Sequence, residues 1–536
     1  MTYRKLKKRL NREFGVIPDI PYFAGDIDTI RAYYDYRRSA EPGEFMLDDI
    51  TWNDLHMDDI FQRINPGLST SGEQYLYYML RHPAVRSGDF EDRKALISFI
   101  ENNPMLRLNM QVILSKLGRA RSADLCEAFH PATRGPGWLI LYLSLFATLL
   151  LSALALQFTP YALAFVFVLT IFNSVFHDFR LAKVSRDFNT VNYSVSMLFA
   201  LRRLQKLGNT ALDSKLTAAY HSLVRLRWVM RTGGASVIAG DPIGELVCSL
   251  SLIDLITYEF IKNRLGRLHR DIFTVHEHLG KIDAAIAAAS FRKSFTGYSV
   301  PDIDFGENKP AFIEISGMIH PMLRNPVPND LHTNRPLLIT GSNASGKSTF
   351  LKTTAVCAVM AQSLCTAPAS GYRASAFRIF TSMALSDDLM SGDSYYISEI
   401  KSIKRVMDAV KNGIPVLCLI DEVLRGTNTV ERIAASSEIL ESLFEKGALC
   451  IAATHDIELC TMLGGRYDLY HFEETVDERE MNFDYIIRKG PAMSRNAIRL
   501  LKLMGFSERF VEAAEKKATT YLETGMWNRT GPEVTP

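Results

Sequence analysis

The sequence predicts an α/β domain, a parallel sheet flanked by helices, preceded by a mainly α-helical region that carries a hydrophobic helical hairpin. Three observations support this. From about residue 300, short β-rich runs such as Leu337–Thr340 and Val416–Ile420 alternate with helical stretches, the pattern of strands joined by crossover helices. Residues 45–130 and 180–290 place apolar side chains at helical spacing, with Pro and Gly sparse except around Gly233, Gly234, Gly240 and Pro242. Between Arg134 and Asp178, 43 consecutive residues contain no Asp, Glu, Lys or Arg.

The first element is basic. Residues 1–12 hold Arg4, Lys5, Lys7, Lys8, Arg9 and Arg12, and no apolar stretch of signal-peptide length follows. The segment reads as a solvated helix face or as a contact for phosphates or anionic headgroups. The uncharged stretch comes next. Trp138 to Phe158 supplies 21 residues, about 31 Å as a helix, enough to cross a hydrocarbon core. Thr159 and Pro160 break the run, and Tyr161 to Phe176 adds 16 more, about 24 Å. Arg119, Arg121 and Arg134 precede it, and Arg180, Lys183 and Arg186 follow. Positive charge on both sides puts both ends of a two-span hairpin in the cytoplasm. The expectation is a cytoplasmic-membrane protein anchored through residues 138–176. The alternative is a cytoplasmic protein with the hairpin buried in its core.

Composition narrows the classes further. A net charge of +2, from 61 basic against 59 acidic residues, excludes a polycation that holds nucleic acid by bulk charge alone. With 22% charged and 47% hydrophobic residues the chain is not disordered. The cysteines are scattered without a Cys-x-x-Cys pair, so neither a metal nor a disulfide framework is expected.

The chemistry lies in the α/β half. Gly341-Ser342-Asn343-Ala344-Ser345-Gly346-Lys347-Ser348 matches G-x-x-x-x-G-K-[ST], follows the apolar run Pro336–Thr340 and opens the helical stretch Thr349–Ala361. Such a P-loop cradles phosphates with backbone N–H groups at a helix N-terminus. Lys347 reaches the β- and γ-phosphates of ATP, and Ser348 binds Mg²⁺. Val416–Ile420 is a buried-strand pattern ending in Asp421-Glu422, with Asp421 placed for the metal and Glu422 for the attacking water. About thirty residues on, Ile451–Ala453 leads to Thr454-His455-Asp456, where His455 is placed to sense the γ-phosphate. The predicted activity is nucleotide hydrolysis.

These residues resemble a known family. The run from Gly341 through Thr349 to Phe350, preceded by His320-Pro321 and Val327-Pro328-Asn329-Asp330-Leu331, resembles the ATPase domain of the MutS mismatch-repair family, an ABC/MutS-like α/β fold. Asp421-Glu422-Val423-Leu424-Arg425-Gly426-Thr427 carries the family's D-E-x-x-R-G-T element, and Asp388–Glu399 is similar to its signature segment. Pro491–Ser494 with Ala497–Gly505 resembles its C-terminal helices; Asp49–Leu80 and His278–Asp283 resemble its core and lever helices. The resemblance implies a homodimer with composite sites, each closed by Ser394 of the partner subunit, and double-stranded DNA as a candidate partner. Together with the charge and hydropathy pattern it divides the chain into a basic segment (1–44), a helical core-like domain (45–134), the transmembrane hairpin (135–178), a helical lever region (179–299), the ATPase domain (300–520) and a tail (521–536). The chain departs from the family in three ways. Leu424 replaces a usual glycine, Pro326 stands near the usual adenine-stacking aromatic, and only about 45 residues precede the core-like segment, too few for a mismatch-reading domain. Two alternatives stay open: a membrane-associated ATPase acting on another partner without mismatch recognition, and a transporter-type ATPase.

Overall fold

The computed structural model describes residues 2–23, 25–120, 125–126, 137–232, 242–295, 297–306, 309–342, 345–383, 395–410, 413–425, 427–476, 481–491, 498, 501 and 505–524. The chain divides into two compact units. The first comprises Met1–Met46, Phe61–His82 and Glu91–Thr296; the second comprises Leu47–Ile60, Pro83–Phe90 and Gly297–Pro536.

The helices, in order, are α1 (Tyr3–Glu13), α2 (Asp26–Ala40), α3 (Asp49–Asp54), α4 (Met57–Ile64), α5 (Thr70–Arg81), α6 (Ser87–Asn102), α7 (Pro104–Leu117), α8 (Leu139–Ala155), α9 (Ala162–Gln205), α10 (Thr210–Lys215), α11 (Thr217–Thr232), α12 (Pro242–Ser251), α13 (Ile253–Leu265) and α14 (His269–Ser294). The core of the first unit is α5, buried along its whole length against α2 and α14. Its cap fixes that position. Ser69 Oγ accepts from the backbone of Gly72 and itself donates to Asp283 Oδ2 on α14 at 2.5 Å.

The hairpin belongs to this unit. α8 spans 17 residues, shorter than the 21-residue apolar run, because the chain turns at Leu156–Tyr161 around Pro160. The second apolar run gives way to charged residues at Asp178, but its helix does not end there. It is the start of α9, a continuous helix of 44 residues, about 66 Å long. No Pro or Gly occurs between Tyr161 and Lys206, so nothing in the backbone interrupts it. By length and composition α9 is long and apolar enough to cross a membrane, while α8 is a shorter apolar helix. Only 11% of the apolar window of α9 is buried. Arg180 ties the base of the hairpin: its Nε donates to Tyr142 Oη at 2.9 Å and its guanidinium lies 4.0 Å from the Trp138 ring centre.

In the second unit the strands are β1 (Asp302–Asp304), β2 (Ile313–Met318), β3 (Asn329–Thr333), β4 (Leu337–Thr340), β5 (Gly371–Ser375), β6 (Arg378–Ser382), β7 (Val416–Asp421), β8 (Leu449–Ala453), β9 (Asp468–Val476) and β10 (Met481–Lys489). Helices α15 (Lys347–Leu364), α16 (Tyr395–Ala409), α17 (Thr429–Glu445), α18 (Ile457–Leu463) and α19 (Glu508–Thr524) complete it. The larger sheet runs β10-β9-β4-β8-β7-β6, parallel throughout except for the β9–β10 pair; the smaller runs β1-β5-β2-β3. Every residue of β4, β7 and β8 is buried, which is why these strands read as unbroken apolar runs rather than alternations.

Part of the N-terminal sequence builds this unit. α3 packs on β6, where Asp54 Oδ2 accepts from Thr381 Oγ1 at 2.6 Å and from the Met383 N–H at 3.1 Å. Gln362, fully buried on α15, donates Nε2 to the carbonyls of Ala84 (3.0 Å) and Phe377 (2.9 Å) and accepts from the Phe377 N–H (3.0 Å). Gln362→Leu keeps the bulk but leaves those buried backbone groups without that partner. A loss of about 2–4 kcal/mol is expected, read as a lower denaturation midpoint at unchanged slope.

Candidate nucleotide site at the carboxyl edge of the sheet

The segments singled out in the sequence meet at the carboxyl ends of β4, β7 and β8, where open α/β sheets form their ligand crevices. β4 ends at Thr340, and the loop from Gly341 leads to α15, whose first residue is Lys347. Two backbone conformations require glycine here. Gly341 has φ +143° and a Cβ would lie 3.0 Å from the Phe472 carbonyl; Gly346, which caps α15, has φ +108° and a Cβ would lie 3.2 Å from the Tyr485 ring. Ser345 closes the loop by donating Oγ to Ser342 O at 2.8 Å. Ser348 and Thr349 are exposed in the first turn of α15. Asn343, Ala344, Ser394 and Gly426 lie outside the described residues.

Lys347 is buried and folds back over its own loop. Its Nζ donates to Gly341 O at 2.8 Å and Ser342 O at 2.6 Å, and lies 3.5 Å from His455 Nε2. His455 follows β8 and places Nε2 3.0 Å from Glu422 Oε1. Arg425 takes the other side: its Nε is 2.6 Å from Glu422 Oε2, and its guanidinium is 3.8 Å from Asp421 Oδ2. The hydrogen bond from His455, with the charges of Arg425 and Lys347, holds the Glu422 carboxyl below its usual range against the opposing effect of burial. Lys347, Glu422 and His455 thus form one contact chain, with Asp421 buried at its edge on the last residue of β7.

The turn after β7 explains the family departure at Leu424. Glu422 has φ +60° and Leu424 has φ +59°, a region that costs a side-chain-bearing residue about 1–2 kcal/mol. A glycine would adopt it without that cost; Leu424 offsets it by being buried. Two supports were not singled out in the sequence. Glu399 on α16 accepts from the Arg425 N–H at 3.2 Å, and Arg432 forms a two-pronged pair with Asp456 at 3.0 and 2.6 Å.

A cavity of about 330 Å³ opens beside Gly346 and Thr349, lined among others by His320, Pro326, Phe472 and Tyr485. Pro326 lines it as the sequence position suggests, but the aromatic lining comes from Phe350 on α15, Phe472 on β9 and Tyr485 on β10. Tyr485 has φ +56°, at an irregularity of the β9–β10 ladder between Phe483 and Ile487. Asn329 pins that irregularity, donating to Tyr485 O and accepting from the Ile487 N–H, both at 2.8 Å. Burial, with Lys352 and His56 nearby, pushes the His320 imidazole down to about 4, so it is neutral at physiological pH.

A mostly parallel α/β sheet with its glycine-bounded loop, lysine and acidic strand end gathered at the carboxyl edge is the architecture of a nucleotide-binding domain. Comparison with known proteins agrees. Residues 337–522 match MutS domain V, so this part of the chain is similar to that domain. The chain is 32% identical over 237 residues to a DNA mismatch repair protein MutS of Thermus caldophilus, covering 43% of this chain and 28% of that protein. It is 30% identical over 255 residues to DNA mismatch repair protein MutS 2 of Halobacterium salinarum (45% and 29%), and 29% identical over 283 residues to MutS of Thermotoga petrophila (50% and 35%). The chain therefore spans about a third or less of the length of these relatives.

Proposed function

We propose that this chain is a MutS-type ATPase anchored in the cytoplasmic membrane. The contact chain Lys347–His455–Glu422 supports the first part most strongly, because it sets a buried ammonium, an imidazole and an ionised carboxylate around one phosphate-sized loop. Gly341 to Thr349 wrap the phosphates of ATP, with Lys347 exchanging its loop carbonyls for phosphate oxygens. Ser348 and Asp421 hold Mg²⁺, whose charge, when bound, offsets that of the phosphates. Glu422 orients and deprotonates the attacking water, and His455 reports the terminal phosphate to Glu422. The cavity at Tyr485 and Phe472 takes the base, so Tyr485 supplies the stacking face that Pro326 lacks. In the homodimer, Ser394 of the partner subunit completes each site. Magnesium-dependent release of phosphate from ATP by the purified chain tests this reading; a chain that releases none under any salt or pH condition overturns it.

The membrane part is supported by what the hairpin exposes. Ile140, Leu151, Leu154, Phe167 and Val175 on α8 and α9, and Phe158 in the turn between them, each stand more than half exposed. Its hydroxyls turn back on their own helices, as an apolar solvent requires: Ser144 to Leu141 O, Thr148 to Ser144 O, Ser152 to Leu149 O and Thr170 to Phe167 O, all at 2.8 Å. Both termini then lie in the cytoplasm. The chain is expected in the membrane pellet after carbonate extraction and in the supernatant only with detergent; full recovery in the supernatant without detergent overturns the anchoring.

Double-stranded DNA is the partner suggested by the relatives. Basic side chains that could meet phosphates are Arg202 and Arg203 on α9, Lys206 just after it and Arg227 on α11, all exposed, whereas Arg225 on α11 pairs with Asp271. A membrane-anchored ATPase that acts on another partner is the second reading, favoured by the exposed hairpin itself.

A further inference from the structure

The Glu399 carboxyl takes no part in the chemistry of the site, yet it is buried beside it. Glu399 stands 6% exposed on the second turn of α16, a helix that also buries Ser402, Ile403 and Val406. Its Oε1 accepts from the Arg425 N–H at 3.2 Å, and its Oε2 has no hydrogen-bond partner among the described residues. Burial, with the Glu422 carboxyl nearby, raises the Glu399 pKa against the N–H groups of Arg425 and Leu424 and the Arg425 charge. An apolar side chain would fill the place without the cost of burying an acid. What the carboxyl touches therefore accounts for the position.

It touches the turn that bears the water-activating carboxylate. Glu422 and Leu424 both have positive φ, +60° and +59°, a conformation that persists only where the surroundings hold it. Contacts from three elements do so. The Glu422 N–H donates to Ala453 O on β8 at 3.0 Å, Ser436 Oγ on α17 donates to Val423 O at 3.1 Å, and Glu399 takes the Arg425 N–H. The last of these sets Arg425, whose Nε lies 2.6 Å from Glu422 Oε2. His455 meets the other carboxyl oxygen, so a displaced Arg425 changes both the direction and the charge surroundings of Glu422. α16 is a firm support for this. Further along it, Arg405 donates to the Thr381 carbonyl on β6 and to Thr51 Oγ1 on α3 at 3.4 Å, and pairs with Asp48, which caps α3. Glu399 thus reaches the turn from a helix tied down at its other end.

We propose that Glu399 is a positioning residue for ATP hydrolysis, holding the Arg425 backbone so that Arg425 and His455 together aim Glu422 at the attacking water. The proposal rests on the assignment of Glu422 as the water-activating group. Glu399→Asp, Glu399→Ala and Glu399→Gln are compared in the purified full chain by magnesium-dependent phosphate release, over a range of ATP concentration and pH. Glu399→Asp shortens the side chain by one methylene and Glu399→Ala removes the acceptor. Both are expected to lower kcat about 10–100-fold, as a catalytic group misplaced by about 1 Å does, with the KM for ATP within about twofold of the parent. The Glu422 pKa is depressed by the His455 hydrogen bond and by the Arg425 charge, so loosening Arg425 moves the acid limb of the rate to higher pH. Glu399→Gln keeps the length and an acceptor oxygen, and is expected to restore most of the rate and the parent's acid limb. Unchanged kcat with a lower thermal midpoint in the aspartate and alanine variants makes Glu399 a packing residue, and the proposal fails. It fails too if KM rises at unchanged kcat, or if kcat falls with the acid limb in place, since neither loss then passes through Arg425. A glutamine variant as slow as the aspartate variant overturns it as well, because the charge rather than the acceptor is then what counts. Glu399→Asp, which keeps the acid, carries the test if Glu399→Ala does not fold. Parent-like turnover in Glu422→Gln sinks the assignment of Glu422 and the proposal with it, whereas a slow Glu422→Gln beside unimpaired Glu399 variants sinks the proposal alone.

Discussion

Lys347→Ala is expected to bring ATP hydrolysis to background while leaving the fold intact. The ammonium is buried at the foot of α15, already aimed at the loop by its bonds to the Gly341 and Ser342 carbonyls. Its charge costs no reorganisation when phosphate oxygens take the place of those carbonyls. Losing one such pre-placed donor lowers turnover by about 10²–10³-fold. The loop loses two of its own ties as well, so nucleotide affinity falls with turnover. Phosphate release and equilibrium nucleotide binding measure the two effects, and an unchanged thermal midpoint separates them from misfolding. A variant that hydrolyses ATP at the parent rate removes the loop from the reaction.

Glu422→Gln is expected to separate binding from chemistry. The amide keeps nearly the same shape between His455 and Arg425, so the pocket for ATP persists. What it loses is a carboxylate able to take a proton from water, worth about 10²–10⁴-fold in rate. The variant should therefore hold unhydrolysed ATP through a desalting step from which the parent elutes with ADP. The parent's pH profile carries the same information. Because the His455 hydrogen bond depresses the Glu422 pKa, the group stays ionised as pH falls through the ordinary glutamate range. The acid loss of activity carried by Glu422 falls below that range, while the stability its ion pairs contribute is lost as pH falls from the ordinary range down through the depressed pKa. Parent-like turnover in the glutamine variant assigns water activation to another group.

Much of the site was legible because its chemistry constrains local sequence. The spacing of Gly341, Gly346, Lys347 and Ser348 follows from a loop that must present backbone N–H groups and then start a helix. Glu422 had to follow a buried strand, and β7 indeed runs Val416–Asp421. The turn that bears Glu422 was also implicit, since a usual glycine at position 424 is what φ +59° asks for. Tyr485 was not legible. Its ring reaches the loop because an irregularity in a remote hairpin, held by Asn329, turns it there. No local pattern encodes a meeting of positions 346 and 485.

The hairpin shows the same division. Absence of charge over 43 residues sufficed to mark an unusual segment, because hydropathy is a property of composition. It could not tell a buried segment from an exposed one, nor show that its second half begins a helix of 44 residues that continues into the helical unit. Exposure is a relation between residues distant in the chain, and only the tertiary structure decides it. Sequence alone determined the phosphate loop, the acidic strand end and the family resemblance, each held by neighbours within a few residues. The fold decided the rest: Leu47–Ile60 and Pro83–Phe90 serve the α/β unit, Arg425 faces Glu422, and α12 packs on α9. These depend on long-range packing, which rewards complementary surfaces and leaves no periodic trace along the chain.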